Sequence, residues 1–313
     1  MVPARVIVTR YRIIPRYCRN YRTQVSAPVH DVLPSQRFGL RLMVLAISLK
    51  MLGLSYQKIS ELFRMLLCLD VTESAVKHAV FKVACAFGPR YLHMIDELKS
   101  EKNMHGDQTS WRINGKNHWL WAFVGRWTAV YEVDRSRRSC VPQKVLRDYD
   151  GNVTSDSWSA WNGVGKTHQR CHIYYTRELG DTIQYKNPGP EFVAFARMLK
   201  RILHDSHTAA SLGRTKRLHA KENLAKRANR LITKKCSDSH CIRLVKRLKR
   251  EKDMLFTFLD TKTEWHNNAA ERQIRPNVII RKITNGHRTE SGAVSHKILM
   301  SIKETSRLRG QFL

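Results

Sequence analysis

The run DQTSWRI (107–113), NG (114–115), KNHWLWAFV (116–124), GRW (125–127) and TAVYEV (128–133) decides the fold of the chain. Asn114-Gly115 is the strongest short signal for a hairpin turn, because both residues accept the positive φ angles of such a turn. Residues 118–124 are apolar on both faces, which is typical of a central strand covered on both sides. Residues 103–134 are therefore predicted to form a three-stranded antiparallel meander.

The chain after the meander continues the same domain in mixed form. The pattern predicts a helix at 141–149, a short fourth strand at 152–156 and a fifth at 168–173. Three hairpin strands, a helix and further strands indicate a mixed α/β (α+β) layer and exclude an all-helical protein. A short separate strand is predicted at 6–9.

A helical region precedes the meander from residue 35 onwards. Ser55 and Thr72 are each placed to cap a helix, and a short turn separates the two. Such a pair is typical of a helix-turn-helix, with polar residues near the start of the second helix reading DNA. The alternative is an ordinary helical hairpin. The DNA-facing residues of the pair are predicted to be Ser74, Lys77, His78 and Lys82.

The chain turns helical and basic again after the fifth strand. Residues 213–252 contain 15 Lys or Arg against 3 Asp or Glu, which favours phosphate contact over a merely solvated helix pair. A further helix begins at Asn267 or Asn268 and is predicted to end or kink at Pro276. A basic loop at 281–288 and a closing helix at 291–308 complete the chain.

Composition points to a polyanionic partner. The chain has 56 Lys plus Arg against 26 Asp plus Glu, a formal charge of +30 and a pI near 10.3. Such a surface attracts nucleic acid by counterion release, whereas an acidic membrane surface is a weaker candidate without a basic amphipathic anchor. No apolar run reaches membrane-spanning length and no signal peptide is recognisable, so a cytoplasmic, nucleoid-associated protein is expected. Seven scattered cysteines without a CxxC pair argue against a disulfide framework.

Three acids fit the chemistry of phosphodiester cleavage. Hard divalent cations prefer carboxylate oxygens, and two such ions can activate a nucleophile and stabilise a leaving oxygen. Asp107 lies on the first strand, Asp156 at the end of the fourth, and Glu271 in the first turns of a late helix. Position alone leaves solvated or salt-bridged carboxylates as the alternative.

Several stretches resemble a known family. They are HGDQT (105–109), WRINGKNHWLW (111–121), SDSWSA (155–160), NNAAERQIRP (267–276) and, upstream, residues 33–60 with RFGLR (37–41). Together they resemble the DDE-class insertion-sequence transposases of the family named after insertion sequence sixty-six, over most of the chain. The resemblance implies a ribonuclease-H-like catalytic core with a helical insertion before the glutamate.

The same resemblance implies the site and its partners. It assigns catalysis and metal binding to Asp107, Asp156 and Glu271, with two Mg²⁺ or Mn²⁺ ions as cofactors. The reaction implied is cleavage at transposon ends, followed by 3′-hydroxyl attack on target DNA by a homodimer or larger assembly. Phosphates near the site are expected to contact a basic set consisting of Arg272, Arg275, Arg281, Lys282 and Arg288, whose alternative is a solvated basic face.

The sequence departs from the family pattern at three places. Gln108 stands where the family has Glu, and Tyr174 stands where a His is expected after Cys171. His172 is the nearest substitute for that His. Only Cys18 remains of an N-terminal zinc module, so no structural zinc is expected.

These observations predict four segments. Residues 1–34 form an irregular basic segment, 35–102 a helical DNA-binding region, 103–180 with 263–313 the catalytic core, and 181–262 a basic helical insertion. The alternative function is a non-catalytic DNA-binding protein derived from a decayed transposase. A third candidate is another ribonuclease-H-like nuclease, such as a resolvase.

Overall fold

The computed structural model describes residues 6–27, 29–33 and 36–311. Near its start, β1 (Arg16–Cys18) and β2 (Thr23–Val25) pair as an antiparallel hairpin. The strand predicted at 6–9 is wrong, because these residues are exposed and pair with no strand. Of the predicted irregular segment, residues 1–5, 28 and 34 lie outside the described residues, as does residue 35, where the helical region was expected to begin.

Among the described residues, four helices precede the sheet: α1 (Leu40–Met51), α2 (Tyr56–Leu67), α3 (Glu73–Ala86) and α4 (Gly88–Ser100). The two predicted caps are confirmed. Ser55 Oγ accepts a hydrogen bond from the Lys58 N–H (3.1 Å), and Thr72 Oγ1 accepts one from the Ala75 N–H (3.2 Å). Each cap satisfies an amide of the first turn that has no partner within its helix.

The central sheet contains β3 (Asn103–Ile113), β4 (Lys116–Val124), β5 (Ala129–Asp134), β6 (Asn152–Ser155) and β7 (Thr167–Arg170). Its order is β5-β4-β3-β6-β7. The first three strands are antiparallel neighbours, and β6 and β7 run parallel to β3. The predicted meander is confirmed, with φ of 49° at Asn114 and 73° at Gly115 in its turn. This mixed sheet is compatible with a ribonuclease-H-like core.

Both faces of the sheet are covered. Along β4, Leu120, Ala122 and Val124 pack into a cluster with the helices before the sheet. Trp121 and Phe123 point to the other face, into a second cluster that includes residues of α4 and α5 (Cys140–Val145). The prediction that this strand is buried on both sides is therefore confirmed.

The remaining helices complete the fold. They are α6 (His172–Lys186), α7 (Pro190–Ala209), α8 (Arg214–Thr233), α9 (Ser239–Glu251), α10 (Phe258–Thr261), α11 (Asn268–Thr284) and α12 (Glu290–Leu308). Short 3₁₀ turns occur at Ser159–Trp161 and Lys252–Met254. A third apolar cluster contains residues from each of the helices α6, α7, α8, α9 and α10, so the basic helices have a core of their own.

Two predicted boundaries are wrong. The helix after β5 ends at Val145 and not at residue 149. The fifth strand ends at Arg170, because its partner β6 ends at Ser155, which lies opposite Arg170 in the register. His172 therefore begins a helix.

The helix bearing Pro276 does not end there, since α11 continues to Thr284. Asn277 is fully buried and accepts a hydrogen bond from His296 Nε2 at 2.8 Å, and Ile280 is buried against the sheet cluster. This packing offsets the missing amide of the proline. As a result, Arg281 and Lys282 lie in the last turn of α11 and not in a loop.

Candidate active site

Asp107 and Asp156 occupy equivalent places on neighbouring strands. In the parallel pairing of β3 with β6, Gly106 lies opposite Ser155, and each acid is the next residue along its chain. Adjacent strands are about 4.8 Å apart. The sheet therefore brings the two acids side by side.

The start of α11 is fastened to this end of the sheet. Asn267 Nδ2 donates a hydrogen bond to the Gly106 carbonyl (2.9 Å), and the Asn267 N–H donates to Cys171 Sγ (3.2 Å). Glu271 follows one turn later on the same helix, and the Glu271 N–H donates to the Asn267 carbonyl. These hydrogen bonds hold the start of α11, and with it Glu271, near Asp107.

The charges of both other acids affect the pKa of Asp107. Burial raises the pKa of Asp107 to about 7, and the charges of Asp156 and Glu271 add to the increase. The Gln108 N–H, 2.8 Å from Asp107 Oδ1, and the charge of Arg137 oppose it. The three acids thus form one electrostatic cluster.

Asp156 is held by a denser set of donors. Burial raises the pKa of Asp156, while the Trp158 N–H, Arg170, Arg137 and the Gln108 side chain lower it. The Trp158 N–H lies 3.1 Å from Asp156 Oδ1. These partners favour the ionised form and oppose the effect of burial on the pKa of Asp156.

The donor chemistry of the cluster fits a hard divalent cation. Glu271 Oε1 is buried and has no hydrogen-bond partner, and three carboxylates in one cluster attract positive charge. In the described part of the chain, however, no three His, Cys, Asp or Glu side chains form a closed ligand group. The acids are therefore neighbours whose side chains would have to reorient to share an ion.

Gln108 has a place in the site that the sequence did not reveal. Its Oε1 accepts a hydrogen bond from Trp161 Nε1 (2.8 Å), and its side chain also bonds Asp156. A Cβ atom at Gly106 would lie 2.3 Å from the Trp161 ring, so only glycine allows the indole this close to the strand. Gln108 thus links the packed indole to the second acid.

Two arginines near the acids were also missed. Arg137 lies between Trp119 and Trp158, with its guanidinium carbon 4.2 and 3.9 Å from the two ring centroids. Arg170 is buried and donates to Ser155 Oγ (3.0 Å) and to the Asp156 carbonyl (2.5 Å). No local pattern marks either residue, because both act through contacts distant in sequence.

A fourth carboxylate approaches the cluster from the basic helices. Glu251, the last residue of α9, is buried and accepts hydrogen bonds from Ser157 Oγ (3.0 Å) and from the Tyr175 hydroxyl. Ser157 directly follows Asp156. Glu251 therefore ties the helical insertion to the segment that carries the second acid.

Tyr174, where the resemblance led us to expect a histidine, lies near the three acids. Burial raises its pKa, and the charges of Asp107, Glu271 and Asp156 raise it further, so its hydroxyl stays protonated beside the acids. His172 does not substitute. Its Nε2 bonds the Leu255 carbonyl (2.7 Å), and its Nδ1 bonds His207 Nε2 (2.9 Å).

The predicted DNA-contacting residues are mostly exposed. Arg281 is half-buried and donates to Thr109 Oγ1 (2.9 Å) and to the Ser110 carbonyl (2.5 Å), so β3 already occupies it. On α3, Lys82 is half-buried. The others are exposed: Ser74, Lys77, His78, Arg272, Arg275, Lys282 and Arg288.

Comparison with known families gives one match. A family model described as Transposase IS66 family matches residues 36–295, well over half of the chain. The match spans α1 to the first turns of α12 and includes all three acids. No curated protein matches the chain. Across residues 6–27, 29–33 and 36–311, no helix has the length and apolar character needed to cross a membrane.

Proposed function

Because the chain belongs to the IS66 family of transposases, we propose that Asp107, Asp156 and Glu271 are its catalytic carboxylates. The reaction proposed is metal-dependent cleavage at transposon ends, followed by 3′-hydroxyl attack on target DNA. The observation that carries the proposal is the shared electrostatics of the three acids, since the charges of Asp156 and Glu271 both raise the pKa of Asp107.

Divalent metal use follows from the family in general terms, and the donor set suits Mg²⁺ or Mn²⁺. Asp107 and Asp156 would hold one ion, and Asp107 and Glu271 a second. When bound, the ions would supply a nucleophile at neutral pH and stabilise charge on the leaving oxygen. That no structural zinc is present stays a prediction.

The chain's own residues orient this set. Gln108, Arg137 and Arg170 favour the ionised form of Asp156 and so keep it available as a ligand. Asn267 fixes the start of α11 on β3, which holds Glu271 at the site. Tyr174 keeps its proton and can donate a hydrogen bond among the acids.

DNA binding is a property of the family. We assign the contacts to the exposed polar face of α3 and to the exposed cations near Glu271, with Arg281 in a lesser role because β3 occupies it. A dimer or larger assembly on DNA, and the division into residues 1–34, 35–102, 103–180 with 263–313, and 181–262, remain part of the proposal.

The test is strand cleavage by purified protein supplied with Mg²⁺ or Mn²⁺ and DNA carrying the element's own ends. We expect Asp107→Ala and Glu271→Ala each to lower the cleavage rate by about a thousandfold or more, because a metal ligand contributes several kcal/mol. Asp150→Ala is the matched control, since Asp150 is an exposed acid on the loop before β6 and its φ is not positive.

Two outcomes would contradict the proposal. Cleavage that survives each of the two substitutions would contradict the assignment of Asp107 and Glu271 as catalytic carboxylates. End binding without cleavage in any metal would indicate the non-catalytic alternative.

A further inference from the structure

A cavity of about 330 Å³ opens near the start of α11. We call it the α11 pocket. Its walls come from the beginning of β3, the turn after β4, the segment before α11 and the first turns of α11 itself. None of Asp107, Asp156 and Glu271 lines it. The lining residues used below are Asn103, His105, Arg126, Lys262, Ala269 and Arg272.

The pocket is rich in unpaired positive charge. Arg126, Lys262 and Arg272 reach it from three different elements. Within the described residues, none of their head groups makes a hydrogen bond or an ion pair, and Arg126 only stacks on Trp127. The one lining acid, Glu264, lies 3.9 Å from His105 and 3.3 Å from His266. The cations are therefore free to meet an anion.

Two side chains that line the pocket also contain buried polar atoms without a hydrogen bond of normal geometry. His105 is 8% exposed, and its Nδ1 makes no hydrogen bond of normal geometry, although the imidazole interacts with the Asn267 side chain. Asn103 Oδ1 is buried without a partner as well, and its amide can rotate to present the NH₂ group instead. A buried polar atom left unsatisfied costs about 1–3 kcal/mol. A bound ligand that supplies partners would recover that cost.

The N-terminus of α11 adds backbone donors. The Asn267 side chain does not cap the helix, because it donates to the Gly106 carbonyl instead. The N–H groups of the first turn are therefore not capped by this side chain, and Ala269 of this turn lines the pocket. The positive end of a 17-residue helix favours anions at this point.

From these features together we infer that the α11 pocket binds a phosphate group. Three cations and free helix N–H groups are the donors that phosphate oxygens accept. Assigning the phosphate to the backbone of the DNA substrate rests on the proposed function. Arg272 adjoins Glu271, so a phosphate held here would fix one DNA strand beside the acids.

The experiment measures DNA binding in EDTA, so that cleavage plays no part. A duplex oligonucleotide carrying the element's end is titrated with wild type, Lys262→Gln and Arg126→Gln at several salt concentrations. Glutamine keeps the Cβ atom at Lys262, whose φ is 55°, so backbone strain is unchanged. Arg147→Gln is the control, since Arg147 lies outside the pocket and pairs with Asp148 at 3.7 Å.

We expect each pocket variant to weaken binding several-fold and to lower the salt slope by up to about one, the value of one phosphate contact. The double variant should lower the slope by about one in total and not by two, because both cations meet the same phosphate. Arg147→Gln should leave the slope unchanged. Unaltered slopes in both Lys262→Gln and Arg126→Gln would overturn the DNA assignment.

Inorganic phosphate, titrated at constant ionic strength and followed by calorimetry, distinguishes the source of the phosphate. Binding to wild type but not to Lys262→Gln, with unaltered DNA slopes, would mean a free phosphate and overturn the assignment to DNA. If wild type binds no phosphate through Lys262 and the DNA slopes are also unaltered, the phosphate-binding pocket itself is overturned. A lowered salt slope in the pocket variants, together with a wild-type protein that cleaves no DNA, would support the pocket while contradicting the proposed function.

Discussion

Asp107 shows how burial and charge act on one side chain. It is nearly enclosed on β3, where burial removes water from its carboxylate and two neighbouring acids repel its charge. Its ionised form is therefore costly without a cation. The burial and the neighbouring negative charges that would favour a bound cation at Asp107 also make the stability of the metal-free protein depend on pH.

Asp107→Asn tests this sensitivity in EDTA. The folded pKa is raised to about 7, so the folded protein holds this proton more tightly than the unfolded chain does. The resulting stability is complete below about pH 4 and is lost as pH rises through about 7. Asparagine is neutral throughout, so the variant should gain on wild type between these values, by roughly 1–4 kcal/mol at pH 8.

Urea unfolding at pH 4.5, 6 and 8 measures the difference. Asp148→Asn, at an exposed acid, should follow wild type at every pH. A constant gap between wild type and Asp107→Asn from pH 4.5 to 8 would show that Asp107 does not titrate in this range.

At the scale of elements, helix ends determine how the surface that we propose to contact DNA is held. The Thr72 hydroxyl caps α3, whose first turns carry Ser74 and Lys77, while Val76 and Val80 on the opposite side are buried. Glu73 in the first turn suits the positive end of the helix. The cap and the buried face together fix the direction of the exposed side chains.

Thr72→Ala should lower the free energy of unfolding by about 1 kcal/mol, because the Ala75 N–H loses its acceptor. Thr72→Ser keeps the hydroxyl and should unfold within a few tenths of a kcal/mol of wild type. Chemical denaturation of the three proteins side by side is the measurement. Equal stability of the alanine and serine variants would show that the cap contributes nothing.

At the scale of the whole molecule, the basic helices are joined to the sheet by buried polar contacts. Glu251 bonds Ser157 and Tyr175, and His172 bonds His207 of α7. His207 in turn stacks on Trp265, with 3.7 Å between ring centroids, just before α11. The insertion therefore contacts the segments that carry both Asp156 and Glu271.

Glu251→Leu should destabilise the protein by about 3–5 kcal/mol, because it leaves Ser157, Tyr175 and the charge of Arg170 without their buried partner. It should also lower single-turnover cleavage at temperatures where the variant remains folded, since Ser157 adjoins Asp156.

Glu251→Gln is the matched control, because its amide oxygen still accepts a hydrogen bond. Thermal unfolding and cleavage are compared for both variants and wild type. Matching stabilities of the leucine and glutamine variants would mean that the carboxylate does not join the insertion to the site.

The sequence by itself determined the meander, the helix caps and the family. The apolar run over 118–124 and the Asn114-Gly115 turn are local signals, and so are Ser55 and Thr72, because each acts within a few residues of itself. The resemblance also singled out three acids, and the structure brings them within one electrostatic cluster. Their catalytic role stays a prediction.

Only the tertiary structure decided where β7 stops, how α11 passes Pro276, and which residues surround the acids. The end of β7 depends on the end of β6, and α11 continues because Asn277 and Ile280 are buried against other elements. Gln108, Arg137 and Glu251 act through partners up to 94 residues away. Their energies come from burial and charge shared between distant segments, which no local pattern in the chain records.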